Sequence, residues 1–155
     1  MNPAFRVHIE ALEPSFQRLV EMAPVPMAGL PRSIPARGIY LLSEQGANLY
    51  VGRSNRMPDR LRSHARTNAG HNETTFAMRI ARTDTGLLRA SYRPEGSRNA
   101  LVKDTVFGPA FVAAKARVAR MNVQYVEEAD PMRQALLEMY VALSPGTPFN
   151  DFDNH

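Results

Sequence analysis

The sequence predicts an α/β protein with a small, mainly antiparallel three-stranded sheet flanked by helices. Three observations lead there. Two short apolar runs, 38–42 and 48–52, flank Ser43-Glu44-Gln45-Gly46-Ala47, a short polar segment with a glycine, which reads as a hairpin loop. A third run, Val123-Gln124-Tyr125-Val126-Glu127, alternates apolar and polar residues as a strand does. The stretches around these runs carry helical spacing.

At 155 residues the chain is long enough for one domain with a real core. Apolar residues make up 44% and charged residues 22%, which excludes a disordered chain. The net charge is +4, and two of the 19 basic residues are lysine, so 17 are arginine. Arginine grips phosphate with a planar fork, so this balance fits a nucleic-acid partner. A GC-rich genome that writes arginine throughout would give the same bias. The absence of cysteine excludes disulfides and thiolate metal sites. No apolar stretch has signal-peptide or membrane-span length, so a cytoplasmic, soluble protein is expected.

In chain order, residues 1–36 read as an N-terminal arm, with 37–155 as the domain. The arm holds six of the twelve prolines. Pro14 suits the first turn of a short helix with Phe16, Leu19 and Val20 on one face. Pro24 to Pro35 reads as extended. After the hairpin a helix starts near Asn55, capped by Ser54 or Asn55, with Pro58 in its first turn. Arg56, Arg60 and His64 recur every four residues and so share a helical face. Residues 67–71 form a loop in which His71 is a surface residue. A second helix spans about 74–81. Residues 83–104 look irregular and basic, through Arg89, Arg93, Arg98 and Lys103, as either a DNA-contacting loop or a solvated insertion. Phe107 to Arg120 is helical, with Phe111, Ala114 and Val118 inward. Asp130 caps a last helix that starts at Pro131 and runs through Leu143. On it Met132, Leu136, Met139 and Leu143 form one stripe, Leu137 and Val141 a second apolar side. Gln134 and Glu138 occupy the narrow polar strip left over, where a glutamate needs solvent or a partner. The tail contains Asp151, Asp153 and His155, whose spacing suits a metal clip, although terminal polar residues are usually mobile.

Gly38-Ile39-Tyr40 and Tyr50-Val51-Gly52 stand one on each hairpin run, and the stretch resembles the GIY-YIG nuclease family. Arg60 and His64 follow Tyr50 by ten and fourteen residues, where that family has a helix arginine and a frequent histidine. Glu138 and Asn150 match its metal-binding glutamate and late asparagine. The resemblance covers roughly residues 36–150. It implies a GIY-YIG-like fold and a DNA endonuclease that leaves 5′-phosphate and 3′-hydroxyl ends.

Phosphodiester hydrolysis needs an activated water, charge stabilisation in the transition state and a neutralised leaving oxygen. The resemblance gives Tyr40 the water. A free phenol titrates near ~10, so Tyr40 as a base would need cations beside it. Arg60 would hold the scissile phosphate and Glu138 one divalent cation. A carboxylate with phosphate oxygens and waters suits Mg²⁺, with Mn²⁺ as a substitute. Tyr50 would position water or phosphate, His64 would share proton transfer or hold phosphate, and Asn150 would brace the site. Arg53, Arg56, Arg60, Arg62 and Arg66 are the expected DNA-binding residues, on duplex or branched DNA. One active site cuts one strand, so duplex cleavage calls for a homodimer or two encounters. Two other classes stay open: a DNA-binding module of the same fold that does not cut, and a nuclease toxin or effector.

Overall fold

Gln45 and Gly46 turn the chain with φ of 51° and 80°, both positive, as a two-residue hairpin turn with the right twist requires. In the computed structural model this turn joins strands β2 (Gly38–Glu44) and β3 (Ala47–Ser54). Residues 1–70, 74–87 and 97–152 are described. The pairing runs from Gly38↔Ser54 to Glu44↔Ala47 and shifts register between Leu42 and Ser43, which leaves Leu49 as the extra residue of a bulge. Strand β4 (Asn122–Glu127) pairs antiparallel with the other side of β2.

The sheet has four strands rather than three, in the order β1-β4-β2-β3. The added strand is β1, Val25–Pro26, antiparallel to β4. Proline has no N–H to donate, and an edge strand is where that is tolerated. This short pairing lies in the segment whose prolines suggested only extended chain.

The chain divides into two compact units, Met1–Asp59 with Met121–His155, and Arg60–Arg120. The first holds the sheet. One sheet face presents Ile39, Leu41, Val51 and Val126, which pack with Leu12, Leu19, Leu137, Val141 and Ala142. These come from helix α2 (Glu13–Glu21), the residue before it, helix α7 (Pro131–Val141) and the turn after it. Each such side chain, fully buried, contributes ~1.5–3 kcal/mol relative to exposure. Helix α1 (Pro3–Glu10), not anticipated from the sequence, buries no residue. Phe16 of α2 stacks on Tyr140 of α7 at 4.4 Å, and the Tyr140 hydroxyl donates to Glu13 at 2.7 Å. Hydrogen bonds from Gln17 and then Tyr140 hold the Glu13 carboxyl below its ordinary range. Gln124 Nε2 reaches the carbonyls of Leu19, Val20 and Met22, closing the end of α2.

Helix α7 turns inward the side carrying Leu137 and Val141, together with Gln134. Met132, Met139 and Leu143 are exposed instead. With apolar residues on two sides, spacing alone did not decide which side faced the sheet. Asp130 caps α7 by accepting from the Arg133 N–H at 2.8 Å.

The second unit takes in most of helix α3 (Met57–Ala65), then α4 (Thr75–Thr85), α5 (Arg98–Val102) and α6 (Phe107–Ala119). Helices α4 and α6 pack together and bury Phe76, Ile80, Phe107, Phe111, Ala114 and Val118. Helix α4 runs past Ala81 to Thr85 and ends on Gly86 in a left-handed conformation. The described parts of 83–104, the end of α4 and helix α5, are therefore less irregular than the composition suggests. Arg89 and Arg93 of that stretch lie outside the described residues, as do His71, Asp153 and His155. No helix among the described residues is long and apolar enough to cross a membrane.

Candidate functional site at the edge of strand β3

Strand β3 is the last strand of the sheet, and no strand among the described residues covers its outer side. Three side chains distant in sequence meet three consecutive residues of it. Asn150 pairs with the backbone of Val51: its Oδ1 accepts from the Val51 N–H at 2.9 Å and its Nδ2 donates to the Val51 carbonyl at 2.8 Å. One amide thus does for Val51 what a neighbouring strand would do. Phe149 N–H donates to the Leu49 carbonyl at 3.1 Å, so the tail segment lies along the same edge.

The next residue is Gly52, cross-strand partner of Tyr40. The Tyr40 ring lies across it: a Cβ on Gly52 would overlap the ring's Cζ and hydroxyl and stand 3.0 Å from a ring Cε1. Only glycine lets the phenol rest over β3 there. Tyr50, two residues earlier on the same face, tilts at 49° to Tyr40 with ring centroids 6.4 Å apart. Both tyrosines are buried.

The third is Arg53, whose Nε donates to Glu138 Oε2 at 3.0 Å. Glu138 comes from α7, and its side chain is 21% exposed against 48% for Arg53. At ~3.3 Å per residue, positions 51 to 53 span only ~7 Å of strand. Tyr40, Tyr50, Glu138 and Asn150 are therefore gathered at one stretch of β3, all within the first unit. Strand alternation places Arg53 on the sheet face opposite the tyrosines. Glu138 thus approaches β3 from the α7 side, and the Tyr40 ring lies over β3 on the other.

Arg56 belongs to the same unit. It is exposed and forms a two-nitrogen pair with Asp59 Oδ2, at 2.8 Å from Nη2 and 3.1 Å from Nε. That carboxylate offsets part of the charge expected to meet DNA. Arg60, Arg62, His64 and Arg66 lie in the second unit. Arg62 and Arg66 are exposed and Arg60 half-buried.

His64 departs from the expected shared face of Arg56, Arg60 and His64, because it is buried at 1% exposure. Burial first, and then the charge of Arg60, pushes its pKa down to about 3. The imidazole is neutral near pH 7, so it can hold a phosphate only as a hydrogen-bonding group, not as a cation. The four-residue spacing had grouped it with two arginines, which hid its place in the interior.

Gln134 was not singled out for the site, yet it is buried beside it on α7. Its Nε2 donates to Asn55 Oδ1 at 3.0 Å and to the Glu128 carbonyl at 2.6 Å. It ties the start of α7 to the chain just after β3. A lone amide on the narrow polar strip of an apolar helix was the available signal.

Among the described residues, no three of His, Asp and Glu come together as a metal cage. The carboxylate that reaches β3 is that of Glu138. One carboxylate suits a hard cation that keeps most of its waters and shares phosphate oxygens with a substrate. The chemistry of this donor therefore fits a magnesium-type ion taken up with its substrate. Compared with known proteins, the chain matches no family model, no curated protein and no solved structure.

Proposed function

We propose that the protein is a metal-dependent DNA endonuclease with its hydrolytic centre at the edge of β3. One observation carries the reading: Tyr40, Glu138 and Asn150 meet three consecutive residues of β3, Gly52, Arg53 and Val51, at its open edge, Glu138 from the α7 side and Tyr40 from the other. The GIY-YIG resemblance names the same three residues.

In this reading Asn150 fixes the β3 backbone, so that Tyr40 and Tyr50 keep their relative geometry while substrate binds. Ionised to the phenolate by cations beside it, Tyr40 accepts a hydrogen bond from the attacking water and then its proton, ending as the neutral phenol. Tyr50 orients the same water or a phosphate oxygen. The water oxygen bonds to phosphorus, and the bond from phosphorus to the 3′ oxygen breaks. The electron pair leaves with that oxygen, which takes up a proton from solvent water. The products carry a 5′ phosphate and a 3′ hydroxyl. Glu138 would hold Mg²⁺ or Mn²⁺, which supplies positive charge against the phosphate oxygens. Arg53 neutralises Glu138 in the free protein, and with a cation held by Glu138 it would be available to meet backbone phosphate. Arg60 keeps the phosphate-binding role that the resemblance gives it. His64, neutral and buried, is not among the groups that meet the substrate.

A second reading has one observation in its favour. The Arg53–Glu138 pair gives the carboxylate a structural partner, and a DNA-binding module that does not cut could retain it for that reason. End-group analysis of the product separates the two. A nuclease of this kind turns supercoiled plasmid into nicked circles that DNA ligase reseals directly. Nicks that need prior phosphatase or kinase treatment contradict the proposed bond cleavage, and salt-sensitive binding with no nicks in either metal supports the binding module.

A further inference from the structure

Arg79 and Arg82 stand three residues apart on α4, so they are neighbours on the helix surface. They flank the apolar side formed by Phe76, Ile80 and Ala81, and both are partly buried. The Nε and Nη2 of Arg82 are shielded from solvent and meet no hydrogen-bond partner among the described residues. These two N–H groups lie side by side along one edge of the guanidinium, the fork that takes two oxygens of an oxyanion. Leaving charged donors buried and unpaired is costly, more so than for neutral ones. The surrounding charge adds to the cost. Burial first, then the charges of Arg98 and Arg79, lower the Arg82 pKa. Arg98 is the first residue of α5, whose Ser97 cap accepts from the Ala100 N–H. An anion in front of Arg82 would satisfy the fork and offset the repulsion among the three cations together.

We propose that Arg82, with Arg79 and Arg98, forms a phosphate-binding site on the second unit, built from residues that the β3-edge reading does not use. Phosphate fits better than carboxylate. A carboxylate spends both oxygens on the Arg82 fork, whereas a phosphate keeps further oxygens for Arg79 and Arg98. The group belongs either to a nucleic-acid backbone or to a free phosphate. The first source draws on the nuclease reading, and the site itself does not.

The test uses the full chain, a labelled short DNA duplex followed by fluorescence anisotropy over a salt series, and inorganic phosphate followed by thermal melting at matched ionic strength. Arg82→Lys keeps the charge and removes the fork. Arg98→Gln removes a cation from a half-exposed position, and it decides alone if the first variant fails to fold. With backbone phosphate in the site, Arg82→Lys weakens duplex binding by about tenfold, an ordinary loss for a charged hydrogen bond. Arg98→Gln also weakens it and lowers the salt slope by about one. With free phosphate as the ligand, inorganic phosphate raises the melting temperature of the wild type and not of the variants, while duplex binding is unchanged. Variants that match the wild type in both assays overturn the site. Glu138→Ala, run beside them, keeps the two readings apart. It retains phosphate and duplex binding if the site is real, and its cutting activity reports only on the β3 edge.

Discussion

The Nε of Arg53 lies 3.0 Å from Oε2 of Glu138, joining β3 to α7 across 85 positions of sequence. Both side chains are partly exposed, so the pair adds little stability, ~0–1 kcal/mol. Its effect is on availability: a cation that binds Glu138 must compete with the guanidinium. Arg53→Gln should therefore tighten Mn²⁺ binding measured by calorimetry and leave the melting temperature nearly unchanged. Unaltered Mn²⁺ affinity would remove Glu138 from the metal site.

Gly52→Ala places a methyl group where the Tyr40 ring lies. The ring must move, and such overpacking costs ~1–3 kcal/mol. Urea denaturation should show that loss, and plasmid nicking should fall by more than the loss of folded protein explains. A variant that cuts normally would show that the position of Tyr40 over β3 is irrelevant to the chemistry.

Asn150→Ala leaves the Val51 N–H and carbonyl without their side-chain partner. The expected destabilisation is ~1–3 kcal/mol. Asn150→Asp keeps an acceptor for the N–H and loses the donor, so it should fall between wild type and alanine. Hydrogen exchange at the Val51 amide reads the same bond directly, with faster exchange expected in the alanine variant.

His64 makes stability depend on pH. Its folded pKa, about 3, lies below its ordinary 6.5, so the unfolded chain takes up the proton first. The contribution is complete above pH ~6.5 and is lost at ~1.4 kcal/mol per pH unit as the pH falls toward the folded value. Between pH 7 and 5 the wild type should lose ~2 kcal/mol through this group. His64→Gln should flatten that slope in urea melts, and parallel slopes would contradict a buried neutral imidazole.

Much of this arrangement is legible in the sequence where it depends on local pattern. The apolar runs on either side of Gly46 mark the hairpin, and Asp130 before Pro131 marks the start of α7. What stayed hidden depends on contacts between distant residues. Nothing in the sequence pairs Arg53 with Glu138, or sets the amide of Asn150 against the backbone of Val51, 99 positions away. The inward side of α7 was ambiguous because Leu136 and Leu137 are neighbours on different faces. The pairing of Val25–Pro26 with β4 rests on two residues, too few for any periodicity to reveal.

The measurement that tests the central claim most directly is nicking of supercoiled plasmid by purified wild type and Glu138→Ala, each with Mg²⁺ and with EDTA. The account predicts nicking by the wild type in Mg²⁺, none in EDTA, and none by the variant in either, with both proteins melting alike. Nicking by a folded Glu138→Ala variant at the wild-type rate would contradict it.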